Sequence, residues 1–424
     1  MSKVYSFIFT RYLYEKEEVE IHLLLSLLYK KQEDALFWAY ELFYSGFEIH
    51  LLQYLLKIYY YFYACLNNSL ENFLIKKIKE FIKSPPEIQS KIIASIIQNL
   101  IIRPLNMDVF LFYIIPSTFE IFEPDPDSFT SSSSSLNHLW EEIFKQGNKV
   151  NVELFLYVIF KSNFQDTEFL LKNLIDYLEL DLDLDLNINK EKFWMDYKKN
   201  VQYIVKQLNW YIDEKIILLS RIVYLYGLKT KKKMGKKLYI CVNSIELVMY
   251  ETIEVDPVNN VDFPAYKILP IATILAIEPD VCKSLFHLKR EKEDIQDAYL
   301  NHWLFYASNT PLWTKRIQDF KGIVCDEEKK VIFKEEQDEG DNLLQAFYDN
   351  YGFEPDEQKK EIQNKCIGDR DRDKDRDRDK DRDRDINKTW FSIYKDCGFL
   401  YRFIDIDDEY MEQLETLDKN KIFI

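Results

Sequence analysis

Residues Glu33 to Tyr63, EDALFWAYELFYSGFEIHLLQYLLKIYYYFY, constrain the fold more than any other stretch of the chain. Ala35, Leu36, Ala39, Tyr40, Leu42 and Phe43 recur at helical spacing, which gives one broad apolar stripe with Glu33, Asp34 and Glu41 placed off it. The two leading acids suit the positive end of a helix dipole, and Ser45-Gly46 supplies a residue able to adopt the left-handed conformation that ends a helix. A second apolar helix begins near Ile49, with Leu51, Leu52, Leu55, Ile58, Tyr59 and Phe62 turned inward. So few residues separate the two that they are expected to pack antiparallel.

The rest of the chain extends this theme. Helices are expected over 15–31, 70–82 and from near residue 87 to Ile102, with Asn67-Asn68-Ser69 as a cap and Ser84-Pro85-Pro86-Glu87 as a stop and restart. Val4 to Phe9 reads as a short strand or a first helical turn. Further helices are expected over 107–115, 136–146, 152–161 and 167–178. Beyond Gly227 the pattern changes, and Ile245, Leu247, Met249, Ile253 and Val255 alternate with mostly polar neighbours, which predicts a two-stranded hairpin turning at Asn243-Ser244. Tyr266–Leu269, Val331–Lys334 and Phe399–Ile406 read as further short strands. Helix returns over 288–320, interrupted at Pro311, over 343–348 and over 409–417.

The fold class is therefore mainly α, an irregular helical array of antiparallel helix pairs with a smaller α+β C-terminal part containing a β-hairpin. At 424 residues the chain is long enough for two to three folded units. The expected organisation is a helical array over 1–120, a linker over 121–135, a second helical group over 136–228 and an α+β region over 229–424. Only 9 glycines and 12 prolines fit a helical chain with short connections and argue against a glycine-loop nucleotide enzyme. Within the last region, Asp369 to Asp385 alternates 9 aspartates with 8 basic residues. It has no apolar face and reads as a solvated insert.

A net charge of -16 disfavours a protein that coats nucleic acid, which needs a basic excess to displace counterions from phosphates. The local exception is KTKKKMGKK, where Lys229, Lys231, Lys232, Lys233, Lys236 and Lys237 form a cluster suited to phosphate or to an acidic partner, or simply a solvated turn. The 6 cysteines make no CxxC pair and have no histidine at ligand spacing, so free thiols in a reducing compartment are expected and no metal or other cofactor is implied. No signal peptide and no run of about 18 apolar residues is seen, so no membrane span is expected.

Reaction chemistry has few candidates. Asp405 and Asp407 in DIDDE could hold magnesium for phosphoryl transfer, but Asp407 or Asp408 is explained as well by capping the helix that follows. Glu354, Asp356, Glu357 and Glu361 read as an acidic first helical turn. The histidines, His22, His50, His138, His287 and His302, are isolated from any nucleophile setting. Tyr59 to Tyr63, Trp303, Phe305, Tyr306 and Trp313 read as core packing in preference to base stacking.

ALFWAYELFYSGF (Ala35 to Phe47), AYLNHWLFYASNTPLWTKRI (Ala298 to Ile317) and YGFEPDEQKKE (Tyr351 to Glu361) together resemble segments of uncharacterised proteins encoded by nucleocytoplasmic large DNA viruses. The resemblance carries no catalytic residues. It implies an intracellular setting, host cytoplasm or virion. The function expected from the sequence is a non-enzymatic helical interaction or scaffold protein with a protein partner, virion-associated or accessory to viral gene expression. The alternatives are an accessory nucleic-acid-binding protein using the lysine cluster and a magnesium-dependent phosphoryl-transfer enzyme.

Overall fold

The computed structural model describes residues 8–106, 108–110, 113, 133–144, 154–155, 158–159, 167–180, 189–208, 210, 212–229, 239–251, 295–333 and 343–351. The elements run α1 (Lys16–Leu28), α2 (Gln32–Tyr44), α3 (Glu48–Ile58) continued by a π-turn (Tyr59–Tyr63), α4 (Leu70–Phe81) and α5 (Pro86–Ile101). They continue with α6 (Ser133–Phe144), α7 (Thr167–Leu180), α8 (Lys190–Val201) with a second π-turn (Gln202–Gln207), α9 (Glu214–Lys229) and α10 (Ser244–Glu251). The last are α11 (Ile295–Ala307), α12 (Pro311–Asp319), β1 (Gly322–Cys325), β2 (Lys330–Phe333) and α13 (Leu343–Tyr351). The protein is mainly α with one small antiparallel hairpin among the described residues.

The helix-turn-helix expected from residue 33 onward is present, with Gly46 at φ 91 in the turn. Its pairing is wider than expected. α2 packs most extensively on α1 and also on α5, α10 and α3. The reason is its burial on more than one face: Trp38 and Glu41 are buried together with the apolar stripe, so α2 is one half of the hairpin and also a central helix.

The π-turn lets five successive aromatics, Tyr59 to Tyr63, all be buried. Widening the backbone turns residues that an α-helix would leave outside toward neighbours. α9 packs against this turn, Phe110 flanks Tyr61 and Phe62, and the hydroxyls find acceptors: Tyr59 on the Asn67 carbonyl (3.2 Å), Tyr63 on the Leu27 carbonyl (3.0 Å) and Tyr60 on Glu71 (2.7 Å). Asn67, expected as a helix cap, instead donates from its amide to the carbonyls of Tyr63 and Pro104, both at 2.8 Å, and ties two loops together.

The largest departure lies at 239–251, with Ile253 and Val255 of the expected hairpin outside the described residues. In place of a strand turning at Asn243-Ser244, residues 244–251 form α10. The Asn243 side chain accepts from the backbone N–H of Ile245 and Glu246, each at 2.9 Å, while Glu246 accepts from the Asn243 N–H at 2.8 Å. This reciprocal pair starts a helix, and it outweighs the alternating pattern, which also contains Ile245, Val248 and Met249 at helical spacing. The observed hairpin is downstream, where β2 occupies the expected Val331 region and pairs in the register Gly322↔Phe333, Ile323↔Ile332, Val324↔Val331, Cys325↔Lys330. The serine tract also differs, since Ser133 to Ser135 begin α6. The strands expected at 266–269 and 399–406, the helix expected at 409–417 and the insert at 369–385 lie outside the described residues.

The C-terminal elements are sewn to the N-terminal ones. Thr310 donates to the Phe9 carbonyl (2.5 Å), the Trp313 indole to the Thr10 carbonyl (3.1 Å), and the Leu312 N–H to the Ser45 carbonyl (3.2 Å). A Cβ on Gly46 would stand 2.7 Å from the Pro311 Cβ. Gly46→Ala is therefore expected to destabilise by more than the roughly 1–2 kcal/mol that a left-handed backbone alone costs a non-glycine residue, read as a lower urea midpoint at unchanged slope.

Candidate functional site

Three of the buried acidic residues, Glu71, Glu41 and Glu20, are each answered by donors from other elements of the chain. Glu71 on α4 is buried and pairs with Arg221 on α9; it also accepts from the Asn200 amide of α8 and from the Tyr60 hydroxyl of the π-turn. Burial alone would depress the Arg221 guanidinium, but the attraction of Glu71 outweighs it and raises its pKa. This centre joins four elements and is closed to solvent.

Glu41 on α2 is fully buried. It accepts from the Thr10 hydroxyl (2.6 Å), from the Tyr12 N–H (3.0 Å) and from Arg11 Nε (2.8 Å), and the Arg11 guanidinium lies against the rings of Tyr12 and Tyr44 at 4.3 and 4.8 Å. Glu41 was expected on the polar side of α2; it is the anchor for the N-terminal loop.

Glu20 on α1 faces Lys16 and His50, with His50 Nε2 at 2.7 Å, and its own carbonyl accepts from the Tyr54 hydroxyl at 2.8 Å. Burial opposes ionisation of Glu20, but the hydrogen bond from His50 and the charge of Lys16 together hold its carboxyl below the ordinary value of 4.5. A depressed carboxyl contributes stability that is present above the unfolded-state value, about 4.3 for glutamate, and is lost as pH falls through the folded-state value. Urea midpoints of the wild type and Glu20→Gln are expected to differ at pH 7 and to approach each other only as pH falls below the unfolded-state glutamate value.

The fourth polar assembly is at the surface. Residues 239–251, carrying α10, lie across α4, α5 and α2. The Tyr239 ring stacks on Phe73 (centroids 4.8 Å, planes 8° apart) and its hydroxyl donates to the Ser69 carbonyl (2.9 Å). Asn99 of α5 exchanges two hydrogen bonds with Ile240, at 2.8 and 3.0 Å, and the Val242 N–H donates to Ser95 Oγ (3.3 Å). At the far end Glu251 accepts from the hydroxyls of Ser90 and Tyr44, the latter at 2.6 Å. Partial burial, followed by the Glu251 carboxylate, pushes the Tyr44 phenol up to about 12. α10 itself contains no buried residue: Leu247 and Tyr250 lean half-buried on the body, while Ile245, Val248 and Met249 are 78%, 61% and 65% exposed. Positions i, i+3 and i+4 share one face of a helix. An apolar ridge therefore faces outward.

Of the lysine cluster, Lys229 is the last residue of α9, and Lys231, Lys232, Lys233, Lys236 and Lys237 lie outside the described residues. So do Asp405, Asp407 and Glu354 to Glu361. Among the described residues no three His, Cys, Asp or Glu side chains gather as a metal site. His22 stacks on Trp38 (4.9 Å), His138 faces Glu142 (3.8 Å), and His302 Nδ1 meets the Lys329 carbonyl (2.9 Å). Trp303, Phe305, Tyr306 and Trp313 are buried, as their residue types implied. Cys65, Cys241 and Cys325 are free thiols, and burial pushes that of Cys65 well up. No described helix is long and apolar enough to cross a membrane.

One signal for the buried centres was present in the sequence. Outside the 369–385 run arginine is scarce, and the four described ones, Arg11, Arg103, Arg221 and Arg316, are each committed: to Glu41, to the Asn99 carbonyl and amide oxygen (2.6 and 2.9 Å), to Glu71, and to the Trp313 ring (4.6 Å). Comparison with protein-family models, with curated proteins and with solved structures finds no match to this chain.

Proposed function

We propose that this chain is a non-enzymatic, helical interaction protein that docks a partner protein on the outward ridge of α10. The observation that carries the reading is the orientation of that helix: it rests on the body through half-buried Leu247 and Tyr250 and presents Ile245, Val248 and Met249 to solvent. An amphipathic helix offering anchors at i, i+3 and i+4 suits an apolar groove. Three buried carboxylates of the described body, Glu71, Glu41 and Glu20, are each held by donors of the chain itself.

The lysine run 229–237 immediately precedes this segment, and Tyr239, two residues beyond its end, is stacked on Phe73 of α4. A partner with an acidic rim around its groove would be steered by that run, with a salt-dependent on-rate, while the ridge supplies the apolar contact. Origin in a large DNA virus, and a place in the virion or in viral gene expression, belong to the same proposal.

The test is differential capture. Tagged wild-type protein and an Ile245→Asp/Met249→Asp variant are crosslinked in parallel in cells expressing the native chain. A protein retained by the wild type and lost from the variant is the expected result. An identical set of crosslinked proteins from both would overturn the reading.

A further inference from the structure

We propose that α4 and α8 form a basic groove that binds a single strand of nucleic acid through its phosphates. The groove is separate from the α10 ridge and gives the protein a second binding surface. Asn72, Lys76 and Lys79 share one face of α4, and Lys83 follows two residues beyond its end. Lys192, Asp196 and Lys199 share one face of α8, and the π-turn after it adds Tyr203. These faces meet. Asn72 donates to Asp196 at 3.3 Å, the Asn200 amide reaches Glu71 and, at 3.5 Å, Asn72, and Lys79 Nζ lies 4.2 Å from the centre of the Tyr203 ring. Residues 72 and 79 therefore meet 196 and 203 in the same order, so the two rows run side by side.

The rows are positive in a chain whose net charge is -16. They carry five lysines against one carboxylate, Asp196, which is already bonded to Asn72. Lys76, Lys83, Lys192 and Lys199 are exposed, and none of the five lysines meets a carboxylate among the described residues. The neighbouring Glu80 is taken by Lys77 at 2.9 Å. Ammonium groups lined up without countercharge repel one another, and a polyanion laid along them relieves that repulsion while releasing its own counterions. Half-buried Tyr203 adds an aromatic ring at the side of the groove, the kind of platform on which a base of a single strand stacks. The rows contain no aliphatic side chain to bury, which disfavours a bilayer as the partner. A cleft between two adjacent helices takes one strand and not the two of a duplex.

Fluorescence anisotropy of labelled oligo(dT) and oligo(U), titrated with the full-length chain over a range of salt concentrations, tests this directly. Affinity is expected to fall with salt, with a log–log slope of about -0.7 for each phosphate neutralised. Lys76→Gln/Lys83→Gln and Lys192→Gln/Lys199→Gln change exposed positions, one pair on each row. Each pair is expected to weaken binding about 10-fold at low salt and to make the slope shallower by about 1.4, the share of two phosphates. Lys315→Gln/Lys330→Gln removes the same charge from α12 and β2 and is expected to leave the slope unchanged. Urea midpoints matching the wild type, as expected for surface changes, separate a lost contact from a lost fold. Equal losses in all three pairs would overturn the inference, since attraction would then be to net charge alone. So would a wild type that binds neither strand at low salt, or one that binds a duplex of the same length equally well. The ridge residues are intact in every variant, so this experiment and the capture experiment fail independently.

Discussion

Arg221→Met is expected to destabilise the fold by about 3–5 kcal/mol, the usual penalty for stranding one member of a buried ion pair. Arg221 is the countercharge of Glu71 at a place where α4, α8, α9 and the π-turn meet, and the side chains of both are essentially excluded from solvent. Once it is gone, the Tyr60 hydroxyl and the Asn200 amide remain as donors, but neither carries charge. The control is the double variant Glu71→Leu/Arg221→Met. Replacing both charges with apolar side chains removes the desolvation penalty along with the attraction, and such replacements are often neutral or stabilising. The double variant is therefore expected to recover most of the loss, as measured by urea unfolding of the single and double variants side by side. A double variant as weak as the single one would show that Tyr60 and Asn200 need the carboxylate more than the carboxylate needs the arginine.

Trp313→Ala is the second large effect, about 3–5 kcal/mol for truncating a fully buried aromatic. Trp313 is 0% exposed, meets Trp303 edge-on at 5.4 Å and donates to the Thr10 carbonyl. It belongs to the C-terminal elements, yet its hydrogen bond and those of Thr310 and Leu312 reach residues 9, 10 and 45. If these contacts make the two ends of the chain one cooperative body, unfolding of Trp313→Ala followed by tryptophan fluorescence and by circular dichroism should give coincident transitions, both shifted. A fluorescence transition that moves alone, with the helical signal unaltered, would show that α11 to α13 melt separately.

The sequence announced its helices well where two signals agreed. Ser45-Gly46 and Pro86 closed and opened helices where apolar periodicity had already placed them, and α1 to α5 follow. It misled where two patterns coexisted. Residues 245–249 satisfy both an alternating and a helical template, and the deciding feature was the Asn243–Glu246 pair, a local polar signal with no apolar content. The strand Gly322–Cys325 was hidden for a different reason. It has four residues, two of its apolar side chains are exposed, and it is defined by its partner β2. Such a strand has no pattern of its own to read.

The buried acids were not legible from periodicity either. Glu41 and Glu71 each lie on a helix where a charged residue is assigned by default to the solvent side, and their partners stand 30 and 150 residues away in sequence. Only the economy of arginine pointed to them. The outward ridge of α10 was in the same position: Ile245 and Met249 belong to the set read as alternating along a strand, and they stand instead on the exposed face of a helix. What a sequence pattern reports is which residues need an apolar neighbour. It does not say whether that neighbour belongs to the same chain.

That last point is the one to measure. Ile245→Asp/Met249→Asp places two charges on the ridge, and equilibrium urea unfolding compares the variant with the wild type. If the ridge faces solvent as described, stability is expected to stay within about 0.5 kcal/mol at unchanged slope, the ordinary range for surface positions. A loss of about 2 kcal/mol or more, the penalty for charging a core, would contradict it and return Ile245 and Met249 to the interior of the protein's own fold.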